Sequence, residues 1–184
     1  MNNQVSRDEG VIEVRLREVN QLFDAMDPAP FHERELNRNA EEYLVDSVTE
    51  LPSGVLREIV LYIEDAQLVD DGAAIGAAIR DHFSRRSALA QRALRRLLKR
   101  GFGSLIVGLS FLTAMFVIAQ VLERLMGEHA IAKIFREGLL IIGWVAMWKP
   151  LEILLYDWWP ILSERRLFDR LSRVQVRIVD DKPG

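Results

Sequence analysis

Two short stretches of the chain place ionisable groups where they could do chemistry. In "WVAMWKPLEILLYDWWP" (144–160), Lys149 and Glu152 interrupt an apolar, aromatic run. On a helix, residues three apart share a face and can pair. Pro150 lies between them and lacks an N–H, which frees the carbonyl of Ala146 one turn earlier as an acceptor. Charges at bilayer depth are costly and turn toward protein, water or one another. Lys149, Pro150 and Glu152 therefore make a candidate intramembrane polar node, suited to docking a membrane subunit or to moving an ion or proton. The plainer alternative has Lys149 snorkelling to the headgroups with Glu152 in an interfacial helix.

The second stretch, "DAMDPAPFHEREL" (24–36), gathers Asp24, Asp27, His32, Glu33 and Glu35. These are metal-ligand or acid–base residue types, but no HExxH or DxDxD spacing orders them. Asp27-Pro28 and Pro30 instead specify a rigid turn, on which Asp27, Phe31 and Arg34 are expected to present a cytosolic docking element. The chain has no cysteine, no glycine-rich phosphate loop and no GxSxG elbow. No catalytic, cofactor-binding or metal residue is assigned, no cofactor is expected, and the sequence identifies no small-molecule substrate.

The elements that carry these stretches are set by how charge and hydrophobicity are distributed along 184 residues. Residues 1–71 hold 17 acids against 6 bases, whereas residues 72–100 hold one acid, Asp81, against eight bases. "FGSLIVGLSFLTAMFVIAQVL" (102–122) then has no charge; 21 helical residues reach about 30 Å, the thickness of a hydrocarbon core. A second apolar run, 138–148, is only 11 residues long and must extend to span. Extension forward meets Tyr156, Trp158 and Trp159, an aromatic group suited to the headgroup boundary. The second span is placed at about 137–157.

Seven bases lie within 85–100 and four more (Arg165, Arg166, Arg170, Arg173) follow the second run, whereas the connector 123–137 is balanced. The positive-inside rule puts both termini in the cytosol and the 123–137 loop outside, in the periplasm of a bacterial inner membrane. The N-terminus lacks the basic and apolar regions of a signal peptide. Arg92, Arg95, Arg96, Lys99 and Arg100 form a basic neck expected to contact lipid headgroups. Interleaved aromatics are missing from it, so nucleic acid is not an expected partner. On the first span, Ser104/Gly108 and Ser110/Ala114 are small pairs four apart, a common helix-packing device.

Around the spans, three segments alternate with period two: 11–19, 57–65 and 174–179. Asn39 with Glu42 fits a capping box at the start of a helix that ends at Leu51-Pro52. A second helix is expected after Asp70-Asp71, with Ile75, Ile79 and Phe83 on one side, running toward the membrane, where Gly101 and Gly103 leave room for a bend. The fold class is an α+β membrane protein, a transmembrane hairpin inserted into a small three-stranded sheet domain. Its parts are 1–100 with the neck 85–100, the hairpin 101–160, and 161–184 returning a helix and the last strand.

The strings "LFDAMDPAPFHERELNRNAEEYLV", "IGAAIRDHFSRR" and "LLIIGWVAMWKPLEILLYDWWPI" resemble a bacterial family of small, uncharacterised two-span membrane proteins. That resemblance implies an inner-membrane protein with the same architecture and brings no catalytic residues. The expected function is a non-enzymatic accessory, adaptor or scaffold protein, with membrane lipids and a protein partner or second copy as its contacts. Two other functions are compatible with the sequence. One is an oligomeric transporter component using Lys149 and Glu152, and the other a membrane-tethered hydrolase-type enzyme using the 24–35 loop.

Overall fold

The computed structural model describes residues 5–6, 10–24, 34–51, 56–64, 72–126 and 130–180. They divide into two compact units: residues 1–89 with 163–184, and residues 90–162.

The first unit is built on a sheet ordered β1 (Val5–Ser6), β2 (Val11–Leu16), β3 (Glu58–Ile63), β4 (Gln175–Asp180). Alternation in the sequence locates the three long strands but leaves their direction open. All three run parallel, with Ile12 opposite Ile59 and Ile59 opposite Val176. The two-residue β1 pairs antiparallel on the outer edge of β2. Gly10, between β1 and β2, has φ 67°, a conformation that costs glycine little, and its carbonyl accepts from the Arg57 N–H at 2.9 Å. Parallel neighbours need crossover connections, and helices supply both of them.

The first crossover carries α1 (Arg38–Glu50). Its cap differs from the expected Asn39–Glu42 box. Asn37 is the N-cap, its Oδ1 accepting from the Asn39 N–H at 3.0 Å, and Glu42 pairs with Arg38 instead. A short polar side chain one residue before the helix reaches the unpaired amides of the first turn, so Asn37 outcompetes Asn39. The second crossover leaves β3 through α2 (Gly72–Met126) and returns through α4 (Trp158–Leu171).

One face of the sheet is buried. Ile12, Val14 and Leu16 of β2 and Ile59, Leu61 and Ile63 of β3 meet Leu44 and Val48 of α1 in this core, with Ile75, Ile79 and Phe83 of α2. Gly76 lets α2 come close to β4: a Cβ there would lie 3.3 Å from Val176 Cβ. The opposite face buries Val60 and is otherwise polar along β3, with the Arg15 guanidinium over the Tyr62 ring at 5.5 Å and Arg177 bonded to Glu58 at 2.7 Å.

In the second unit, α2 continues as helix through Gly101 and Gly103, the two glycines at which the sequence allows a bend. Helical hydrogen bonding outweighs the permissiveness of two glycines when apolar residues continue on both sides. The returning helix α3 (Ala130–Glu152) passes through a π-helical segment, Ile153–Asp157, into α4. Both helices are long and apolar enough to cross a membrane.

The two helices run antiparallel, and their register is fixed by close approaches. A Cβ on Gly101 would sit 2.7 Å from Ile153, one on Gly108 3.1 Å from Met147, and one on Gly143 2.7 Å from Leu112. Along α2 the covered positions 101, 105, 108, 112, 115 and 119 recur at alternating intervals of four and three. That spacing is the seam of a packed helix pair. Gly108 lies on it. Ser110 and Ala114, expected as a packing pair, lie off it and are exposed.

Candidate functional site

Lys149 and Glu152 pair across one turn, as the i, i+3 spacing allows. Lys149 Nζ lies 2.9 Å from Glu152 Oε2 on one helix face, with the two side chains 68% and 42% exposed. Pro150 is buried in the seam against Gly108. The chain stays helical past Pro150, and the missing hydrogen bond is followed within three residues by the π segment, a familiar response to a break in the helical ladder. Trp158 closes that segment: its indole N–H donates to the Leu154 carbonyl at 2.9 Å. Trp158 thus serves the backbone rather than pointing freely outward, while Tyr156 and Trp159 are well exposed.

Register decides what faces the node. With Gly101 opposite Ile153 and Gly108 opposite Met147, Lys149 stands level with the 104–107 turn of α2. Beside it opens a groove of about 520 Å³, lined by Gly103, Val107 and Phe111 on one helix and Ala146, Lys149 and Pro150 on the other. The groove exists because Gly103 and Ala146 are too small to fill it, and a Cβ on Gly103 would touch nothing. At the far end of the pair, Arg136 reaches Glu123 across the helices at 3.5 Å.

The first unit holds a second polar cluster, which joins residues far apart in sequence. Glu41, in the first turn of α1, takes Arg86 of α2 at 2.6 Å and lies 3.4 Å from His82 Nε2. The Arg86 guanidinium also covers the Phe168 ring at 5.3 Å. His82 is buried, and its Nδ1 accepts the Leu36 N–H at 3.3 Å. Burial pushes the His82 pKa down, Glu41 opposes that shift, and Arg86 adds to it. The cluster closes the neck of the 24–35 loop, where Phe23 bridges Leu36 and Asp24 N–H donates to the Glu35 carbonyl. Nothing in the sequence pointed to this role for His82, since no local spacing pairs it with Glu41.

Of the docking turn, Asp27 and Phe31 lie outside the described residues, as do His32 and Glu33; Arg34 is half-buried. Among the described residues no three His, Asp or Glu side chains converge as a metal site. A cavity of about 650 Å³ opens where β2 meets the start of α1, lined by Arg15, Arg17, Gln21, Asn37, Tyr43 and Glu64. Two of its polar groups are already engaged, since Gln21 accepts from the Arg17 N–H and Asn37 caps α1. Ligands of open parallel sheets favour the crevice where strand order reverses, and here β2, β3 and β4 follow one direction without a reversal. Of the neck, Arg92, Arg95, Arg96, Lys99 and Arg100 are all exposed on α2.

No protein-family model, no curated protein and no solved structure matches this chain.

Proposed function

We propose that this chain is a non-enzymatic adaptor of a bacterial inner membrane, its helix pair in the bilayer and its sheet unit on the cytosolic side as the docking platform. The observation that carries this reading is the outward display of large apolar side chains around α2 and α3. Val107 is 69% exposed, Trp144 65% and Trp148 75%. A soluble protein seldom leaves such a band uncovered, and a bilayer or an apolar partner would cover it.

The helix register supports a specific depth for the polar node. With the cytosolic edge of the hydrocarbon at Arg100–Gly101, the charge-free stretch of α2 faces about 133–154 of the returning helix, a few residues earlier than composition alone suggests. Lys149 then lies five residues inside that edge, about 8 Å along the axis. A lysine stem covers most of that distance. This favours Lys149 and Glu152 as a pair near the cytosolic headgroups that can also contact a partner helix, and it weakens a role deep in a conduction path.

The cysteine-free sequence makes the test clean. Single cysteines introduced at Glu128 and at Ser53, in intact cells, are expected to react with an impermeant maleimide at 128 only. Labelling at both sites, or recovery of the protein in alkaline washes of the membrane, would sink the membrane reading. The adaptor role is checked by affinity purification of the tagged chain in mild detergent: a larger complex of defined composition, lost on Lys149→Leu, is expected. A particle holding only this chain, unchanged by the substitution, would overturn it.

A further inference from the structure

We infer that the groove beside Lys149 is a binding site for one anionic phospholipid, an acyl chain filling the groove and the phosphate held by the basic neck above it. The inference rests on the membrane reading above and turns the general headgroup contact expected of the basic neck into one defined lipid site at the groove. The groove is mostly apolar, its α2 wall being Gly103, Ser104, Val107, Gly108 and Phe111 with the Ser104 hydroxyl donating back to the Gly101 carbonyl, and it opens outward rather than into a core. Its occupant must therefore be apolar where it lies against these residues.

What lies above the groove specifies the rest of the ligand. Side chains three, four and seven residues apart share a helix face. Continuing the Gly103–Val107 face one and two turns back along α2 reaches Arg100, Lys99 and Arg96, all exposed and without a salt bridge among the described residues. At this end of the unit six bases (Arg92, Arg95, Arg96, Lys99, Arg100 and Lys149) face two acids, Glu152 and Asp157. Glu152 already engages Lys149, so the surplus positive charge belongs to the neck. An apolar slot continuous with surplus cations at headgroup level complements an acyl chain joined to a phosphate with net negative charge, and basic pockets between membrane helices hold such headgroups elsewhere. A second copy of this chain would bring the same cations to the same place and repel.

The test uses the full chain purified in mild detergent and reconstituted in phosphatidylcholine vesicles with or without phosphatidylglycerol. Lipid retained after detergent washing is counted per chain by mass spectrometry. Wild type is expected to retain about one phosphatidylglycerol in preference to phosphatidylcholine. Gly103→Leu extends a side chain from a position where an added Cβ meets nothing within 4 Å, and Arg96→Gln with Arg100→Gln removes the headgroup contacts. Each variant is expected to lower retention roughly tenfold or more. Unchanged retention in Gly103→Leu overturns the groove as the site, and equal retention of both lipids overturns the preference for negative charge. A change in particle mass without a change in lipid assigns the groove to a protein and overturns the inference. Carbonate extraction of the same membranes separates the two failures. A chain that stays in the membrane but holds no lipid sinks this inference alone, whereas a chain that washes out sinks the membrane reading with it.

Discussion

The Leu36 N–H donates to Nδ1 of His82 at 3.3 Å, and this bond selects the tautomer of a buried neutral imidazole. A nitrogen that accepts a hydrogen bond carries no proton, so the ring hydrogen sits on Nε2, toward Glu41. His82 can bind a second proton only by giving up Leu36, and the charge it would gain faces Glu41, Glu35 and the competing cation Arg86.

Stability of the sheet unit should therefore fall on acidification. Burial holds the folded His82 below its ordinary value of 6.5, so below pH 6.5 the unfolded chain binds the proton more readily than the folded one. The contribution is complete above pH 6.5 and is lost as pH falls from there toward the folded pKa. Thermal unfolding of the full chain at pH 7.5, 6.5 and 5.5 measures this, with His82→Gln as the control, since an amide oxygen can accept from Leu36 but does not titrate. A flat profile in wild type, or an equal slope in His82→Gln, would show that another group governs it.

His82→Phe keeps the ring and deletes the acceptor. A buried Leu36 N–H without a partner is expected to cost about 1–3 kcal/mol, and amide exchange at Leu36 should quicken relative to Leu61 in the centre of β3. If Leu36 stays as protected as in wild type, the bond is not what holds the loop neck.

Gly101 and Gly103 sit two residues apart and should respond in opposite directions. At Gly101 an added methyl meets Ile153 Cγ2 at 2.7 Å, and overpacking outweighs the helix propensity gained, so Gly101→Ala should lose on the order of 1 kcal/mol. At Gly103 the methyl meets nothing, and Gly103→Ala should gain about 0.5–1 kcal/mol. Reversible denaturation in detergent micelles ranks the two against wild type; a stabilising Gly101→Ala would mean that the helix register is wrong.

Trp158→Phe removes the indole N–H that the Leu154 carbonyl accepts inside the π segment. The loss should be about 0.5–1.5 kcal/mol, with little change in the tryptophan fluorescence of Trp144 and Trp148. A large shift in that emission would show that Trp158 holds more of the helix pair than one turn.

The sequence determines features whose cause is local. Alternation in Ile12, Val14 and Leu16 marks a strand because side chains point to opposite faces at every step. The uncharged run 102–122 marks a helix able to cross a bilayer because length and composition alone decide that. The Lys149–Glu152 pair follows from helical spacing in the same way. Element order was also legible, since β4 had to return to the sheet carrying Val176 and Ile178 on its apolar face. Even locally there was competition, and Asn37 rather than Asn39 won the cap.

Tertiary structure decided the rest, because it depends on which distant surfaces meet. Parallel direction in the sheet comes from how the crossover helices pack, and strand alternation is identical in either direction. Gly101, Gly108 and Gly143 read alike in sequence as small residues in apolar runs. Only their meeting with Ile153, Met147 and Leu112 sets the register that puts Lys149 beside a groove and not within a seam. Glu41 and His82 are each unremarkable on their own helices. The cluster arises when folding brings one carboxylate to both His82 and Arg86, an encounter that no spacing along the chain encodes.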